Sequence, residues 1–186
     1  LEPIRQLSAG TDEGEWLVQG SEPLFQATER LPLPGWNMVE VACERSVTSV
    51  AAGFSFTGDG EEMDVEMPLR VGKVTKRLVW VPFGVRKVHF RPMNSPGIFR
   101  LTHFRFVWLT PWFAHDRLAQ RLVNTHPDYK DLPVTKVRRQ LRAEARQQKR
   151  RWRDLALEKY DYTFISLCSR RNYQKWIAQV ETRNDQ

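Results

Sequence analysis

Trp16, Trp36, Trp80 and Trp112 are the residues of this chain best suited to recognition chemistry. An indole presents a flat π face on which the polarised C–H side of a sugar ring can stack. The competing reading is that each is a partly buried core residue, the usual place of Trp in a small domain. The densest carboxylate group is Asp59, Glu61, Glu62 and Asp64. It offers the oxygen ligands that Ca²⁺ takes, but not the spacing of an EF-hand, and reads as a solvated hairpin loop.

His89, His103, His115 and His126 have no metal-ligand spacing. His89 and His103 fall in strand-like segments as structural sheet-face residues. His115 falls on the surface of a helical segment and reads as solvated. Cys43 and Cys168 are far apart, so a reduced, cytosolic setting is expected rather than a disulfide framework. Cys43 has no activating neighbours in sequence and reads as a buried structural thiol. The sequence holds no G-x-G-x-x-G, phosphate loop, G-x-S-x-G or H-E-x-x-H motif. No catalytic residue, metal or cofactor is therefore expected.

Charge divides the chain. Residues 134–160 carry ten Lys/Arg and three acids, an excess of seven that equals the formal net charge of +7. Residues 1–133 hold 15 basic and 16 acidic groups and are nearly neutral. The basic surface candidates are Arg138, Arg142, Arg146, Lys149, Arg150 and Arg153. Three readings fit: a solvated connector helix, a membrane-surface binder, or a nucleic-acid binder. The last is the least favoured, since only Trp152 interrupts the cations and nucleic-acid binders usually interleave aromatics.

The elements needed to position these residues can be read from periodicity. Short apolar segments at Trp16–Val18, Leu24–Thr28, Trp36–Ala42, Val47–Phe56, Met63–Leu69, Val74–Val81, Val85–Arg91 and Phe99–Leu109 are separated by Gly/Pro/Asn/Ser turns. Met63, Val65, Met67 and Leu69 alternate with Asp64, Glu66 and Pro68, so one face is buried and one wet. Pro68 places that strand at an edge or strand end. Eight such strands predict a mainly β fold, an antiparallel, jelly-roll-like β-sandwich over residues 16–110. Residues 1–15 are polar and read as a flexible N-terminus.

The pattern changes at Thr110-Pro111, which can cap and start a helix running to about Val123. Residues 111–186 form a helical extension. Within it Asp131-Leu132-Pro133 opens a basic helix over 134–160. Val134, Val137, Leu141, Ala145, Trp152 and Leu155 form its narrow apolar stripe, broken once by Gln148. Residues 160–168 could be strand, helix or packed turn. A last helix capped by Ser169 carries Tyr173, Trp176, Ile177 and Val180 at i, i+3, i+4, i+7, a candidate interface. No run approaches the roughly 18 apolar residues of a membrane span. The start at Leu1 rather than Met is expected of a processed or cut chain.

A resemblance follows from the order of short motifs. Trp16 with Gly20-Ser21-Glu22-Pro23-Leu24-Phe25, then Leu33-Pro34-Gly35-Trp36, Val88-His89-Phe90-Arg91-Pro92, Ser95-Pro96-Gly97 and Phe99-Arg100-Leu101 resemble the N-terminal region of large bacterial family-2 glycosyltransferases that build surface polysaccharide. Asn172-Tyr173-Gln174-Lys175-Trp176-Ile177 with Glu181 is similar to the helix that precedes their catalytic domain. The resemblance implies a β-sandwich accessory domain that binds a growing glycan or positions a downstream catalytic glycosyltransferase domain. It implies a cytoplasmic location, peripheral to the inner membrane. It carries over no catalytic residue, because the Asp-x-Asp metal motif is absent and the chain ends at Gln186, before the catalytic domain's first strand. A protein-interaction or assembly module using Tyr173, Trp176 and Ile177, and an anionic-surface binder using the basic helix, are the expected rivals.

Overall fold

The structure, a computed structural model, describes residues 1–45, 50–59 and 63–165. Two compact units divide between Leu109 and Thr110. The first is an antiparallel β-sandwich, with ten strands among the described residues. They are β1 (Glu2–Arg5), β2 (Leu7–Ala9), β3 (Glu15–Val18), β4 (Leu24–Ala27), β5 (Gly35–Arg45), β6 (Val50–Gly58), β7 (Met63–Leu69), β8 (Thr75–Val81), β9 (Val85–Arg91) and β10 (Gly97–Trp108). One sheet has the order β1-β4-β9-β6-β7 and the other β2-β3-β10-β5-β8. Pro68 lies on β7, an edge strand, where its missing N–H breaks no ladder.

Period-two patterning builds the interior. Phe25, Phe54, Phe56, Val88, Phe90 and Met67 point inward from one sheet and meet Val39, Val41, Cys43, Val79, Val81 and Phe99 from the other. Phe54 is the hub, with ring centroids 5.0 Å from Phe90, 5.8 Å from Phe104 and 6.2 Å from Phe106. Gly58 is required where β6 ends, since a Cβ there would collide with the carbonyl of Gly84.

The N-terminal residues differ from the flexible segment expected. β1 pairs with β4 and β2 pairs with β3, so residues 2–9 supply an edge strand to each sheet. Gln6, with φ 54°, is the crossover, and its amide oxygen accepts from the Glu22 N–H at 2.8 Å. β1 is exposed along its whole length, so backbone pairing holds it and no apolar periodicity marks it.

The second unit is helical. α1 (Pro111–Thr125) starts on Thr110, whose side chain accepts from the Phe113 N–H at 3.4 Å. A short 3₁₀ turn at Pro127–Tyr129 leads to α2 (Val134–Gln147) and α3 (Trp152–Ile165). Leu118, Leu122, Val137, Leu141, Leu155 and Phe164 are buried with Ala114, Ala119, Ala145 and Ala156 among them.

The single basic helix expected over 134–160 is thus two helices. The Arg150 N–H reaches back to the Ala145 carbonyl at 2.9 Å and the Lys149 N–H to that of Arg146 at 3.2 Å. With Lys149 at φ 53°, this is a Schellman termination with Lys where glycine is usual. At the start of α2, Pro133 occupies the cap without a side-chain hydrogen bond, so Asp131 does not cap it. Residues 160–165 are helix, the end of α3. The proposed last helix, with Cys168, Tyr173, Trp176 and Ile177, lies outside the described residues.

Candidate functional site

Strand alternation gives each sheet an inner and an outer face. In the β1-β4-β9-β6-β7 sheet the inner side chains are the phenylalanines and aliphatics of the core. Their sequence neighbours must point outward, and register lines these up. Gln26 lies opposite His89, His89 opposite Ser55, and Ser55 opposite Asp64. Four polar residues on four adjacent strands therefore form one row, continued by Glu2 beside Gln26.

The row is bonded side to side. His89 Nε2 is 3.2 Å from Gln26 Oε1, and His89 Nδ1 is 3.4 Å from Ser55 Oγ. Both ring nitrogens of His89 are thus engaged, one by the Gln26 amide and one by the Ser55 hydroxyl. One row away, about 7 Å along the strands, Arg91 lies opposite Gly53 and Gly53 opposite Glu66. The Arg91 guanidinium crosses Gly53, where a Cβ would come within 2.7 Å of Nη2, and meets Glu66 Oε1 at 3.5 Å. On the other side Thr57 lies opposite Lys87, and the Thr57 hydroxyl is buried there without a hydrogen-bond partner.

This track runs toward one end of the sandwich. There Asp59 pairs with Arg86 at 2.6 Å, beside the turn bearing Phe83, which is 77% exposed. The same end carries Trp108, 48% exposed, its indole N–H held by the Pro34 carbonyl at 3.2 Å. Pattern reading missed both rings. Phe83 stands in a Pro-Phe-Gly turn that periodicity treats as a break, and Trp108 ends an alternating strand and looks like core.

Of the tryptophans proposed for sugar contact, the sandwich brings Trp36 and Trp80 together and places Trp16 on another strand. Trp16 sits edge-on to Phe25 at 5.1 Å and packs against the core. Trp36 is 3% exposed and edge-on to its cross-strand partner Trp80 at 5.4 Å, so it has no free face to offer. Trp80 is half-buried in that pair. Trp112 is 66% exposed but belongs to α1.

Other titratable groups have structural settings. Glu40, on the outer side of the second sheet, accepts from Arg105 at 2.5 Å and Lys76 at 2.7 Å and faces His103 at 3.3 Å. The Lys76 and Arg105 hydrogen bonds hold its carboxyl at about 2. Cys43 is buried and free, and burial pushes its thiol above the ordinary range. His115 is not solvated as expected. Its ring lies 4.0 Å from that of Trp152, and burial lowers its pKa. Of the acidic loop, Asp59 and Asp64 are described, and no metal-holding cluster of His, Cys, Asp or Glu occurs among the described residues.

Of the basic candidates, Arg142, Arg146 and Lys149 are exposed, and Arg138 is half-buried on α2. Arg150 pairs with Glu158 and Arg153 with Asp154, each at 2.7 Å.

The polar track can exchange directional hydrogen bonds with a hydroxyl-rich ligand. Its amide, imidazole, hydroxyl, carboxylate and guanidinium groups supply donors and acceptors side by side. Ser55, His89 and Gln26 resemble a hydroxyl–base–orienter chain. The main-chain N–H groups of β9 and β6, on which His89 and Ser55 stand, are taken up by ladders on both sides.

No family model matches the chain, and no curated protein matches it. Among solved structures it is similar to a "Family 16 Carbohydrate Binding Module-2", with 9% identity over 50% of this chain and 76% of that one, TM-score 0.33. It is also similar to TmCBM61 in complex with beta-1,4-galactotriose, with 11% identity over 51% and 70%, TM-score 0.30. Identity and scores this low carry no functional weight.

Proposed function

We propose that the sandwich is a non-catalytic glycan-binding module and that the outer face of β1-β4-β9-β6-β7 is its binding surface. The observation that carries this is the Gln26–His89–Ser55–Asp64 row. Four strands present hydrogen-bonding side chains in register, and a glycan's hydroxyls are ligands of that chemistry. A sugar chain lying along the strands would cross the Arg91–Glu66 row, the His89 row and the Thr57–Lys87 row in turn. Phe83, at the end of this track, would stack on a ring there. The likeness to glycosyltransferase N-terminal regions extends the reading. On it, the module serves a downstream catalytic domain as an accessory at the cytoplasmic side of the inner membrane, with the helical unit as connector.

A glycan-array screen at low and physiological salt tests the surface, followed by titration of the best ligand. The expected result is binding that is nearly unchanged between the two salts. His89→Ala or Gln26→Ala should each weaken it about 5- to 10-fold, the worth of one or two hydrogen bonds. Array-wide absence of binding, or binding indifferent to both substitutions in folded protein, would remove this face as the site.

A further inference from the structure

The helical unit has a surface that glycan recognition leaves unused. Residues 134–160 contain ten Lys/Arg and three acids, and each acid has a partner. Glu144 accepts from the Tyr129 hydroxyl at 2.9 Å and from the Gln140 amide at 3.0 Å. Asp154 is held by Arg153 and Glu158 by Arg150. Lys159 faces Asp128 at 3.8 Å. The remaining seven cations, from Lys136 to Arg151, have no neutralising acid among the described residues.

Helix geometry gathers most of them. Val137, Leu141 and Ala145 take the buried side of α2. Lys136, Arg139 and Arg146 then fall on the opposite side with Arg142 on its flank, a row about 15 Å long, and exposed Lys149 follows in the turn that ends the helix. Two exposed aromatics lie at one end of the same unit. Trp112 is 66% and Phe113 36% exposed, on the first turn of α1. The contact of His115 with Trp152 puts that turn at the same end as the corner between α2 and α3.

We infer that this face is a docking surface for an anionic lipid bilayer, with the cation row along the headgroups and Trp112–Phe113 as an interfacial anchor. Charge complementarity gives the sign of the partner, and the placement of the rings selects its kind. A single-stranded nucleic acid needs aromatics among the cations, where successive bases can stack. The α2 row has none. Tryptophan at the edge of a basic surface is instead the arrangement of a membrane-interface belt. α2 does not insert, because its apolar stripe is already buried. Attachment is therefore electrostatic, reversible and strongly salt-dependent.

The test is flotation of the whole chain with vesicles of phosphatidylcholine alone, or of about three parts phosphatidylcholine to one of phosphatidylglycerol. Expected are binding to the anionic vesicles only, loss at about 0.5 M salt, and about a 100-fold drop for the triple variant Arg139→Gln, Arg142→Gln, Arg146→Gln. Trp112→Ala should weaken binding about tenfold at unchanged salt dependence. Circular dichroism checks that the variants fold, which these solvent-facing positions favour. Equal binding to neutral vesicles, no binding at low salt, or tighter binding to a single-stranded oligonucleotide than to the anionic vesicles would each overturn the inference. None of these readouts depends on glycan binding.

Discussion

The two units handle charge in opposite ways. Residues 1–109 hold 12 basic and 13 acidic groups, and residues 110–186 hold 17 and 9. In the sandwich at least six of the twelve basic residues have an acid opposite them among the described residues, including Arg105 and Lys76 on Glu40, Arg91 on Glu66, Arg86 on Asp59 and Arg100 on Asp12. In the helical unit the three acids of residues 134–160 each have a partner and a row of cations is left over. A surface whose charges are mutually satisfied recognises by hydrogen-bond geometry and tolerates salt. A surface with surplus charge attracts by field and loses its hold as salt rises. One chain thus presents two kinds of surface, separable by ionic strength alone.

The interiors differ as well, and this gives the largest expected effect. The sandwich core is a stack of phenylalanines and the helical core is mostly Leu and Ala. Phe54→Ala should remove about 3–5 kcal/mol from the sandwich, as large-to-small changes at a fully packed aromatic do. Denaturant unfolding followed by Trp fluorescence reads this. A loss below about 1 kcal/mol would mean that the stack around Phe54 is not what holds the sheets together.

Acid should separate the units next. Glu40 is held at about 2 against an ordinary 4.5, so its charged form is bound more tightly in the folded state. Its contribution, on the order of 2 kcal/mol after screening of the exposed Lys76 and Arg105 heads, is complete above pH 4.5. It is lost as the pH falls from there toward 2. The helical unit should weaken earlier. His126 is buried, and burial lowers its pKa below 6.5, opposed by Asp128 and Glu144 and aided by Lys159. Protonation must work against that burial, so stability falls as pH drops below 6.5. Helical ellipticity should therefore decline before the sandwich's near-ultraviolet signal. Glu40→Gln should flatten only the lower limb. His126→Asn should flatten only the upper, because Asn can still accept from the Asp128 N–H as His126 Nδ1 does at 3.2 Å.

Most of the sandwich was legible because its core strands alternate. Met63 to Leu69 declare their inner face, and Phe54, Phe56, Val88 and Phe90 do the same, so eight strands and two faces follow from period two. β1 could not be read this way, since all its residues are exposed and its pairing is a backbone affair. The polar row was legible only in part. That Gln26, Ser55 and His89 point outward follows from alternation, but their alignment depends on register between strands as distant as β4 and β9. No local pattern encodes that register. Residue type says what a Trp ring can do and not whether its face is free, which differs between Trp36, 3% exposed, and Trp112, 66% exposed.

The break between α2 and α3 was hidden for a different reason, and it offers the smallest and cleanest test. Helix ends are usually announced by glycine, because the residue after the cap turns left-handed. Here Lys149 makes that turn at φ 53°, and only the polar Gln148 in the apolar stripe hinted at a stop. A lysine in this conformation costs about 1 kcal/mol that glycine avoids. Lys149→Gly should raise the stability of the helical unit by up to that amount while removing one cation from the α2 row. The same substitution should lower affinity for anionic vesicles several-fold. Stability and membrane affinity would then move in opposite directions, which is expected if this position keeps a strained lysine for its charge. A neutral or destabilising result would mean that α2 and α3 run on as one helix, and the row of unpaired cations on this unit would have to be redrawn.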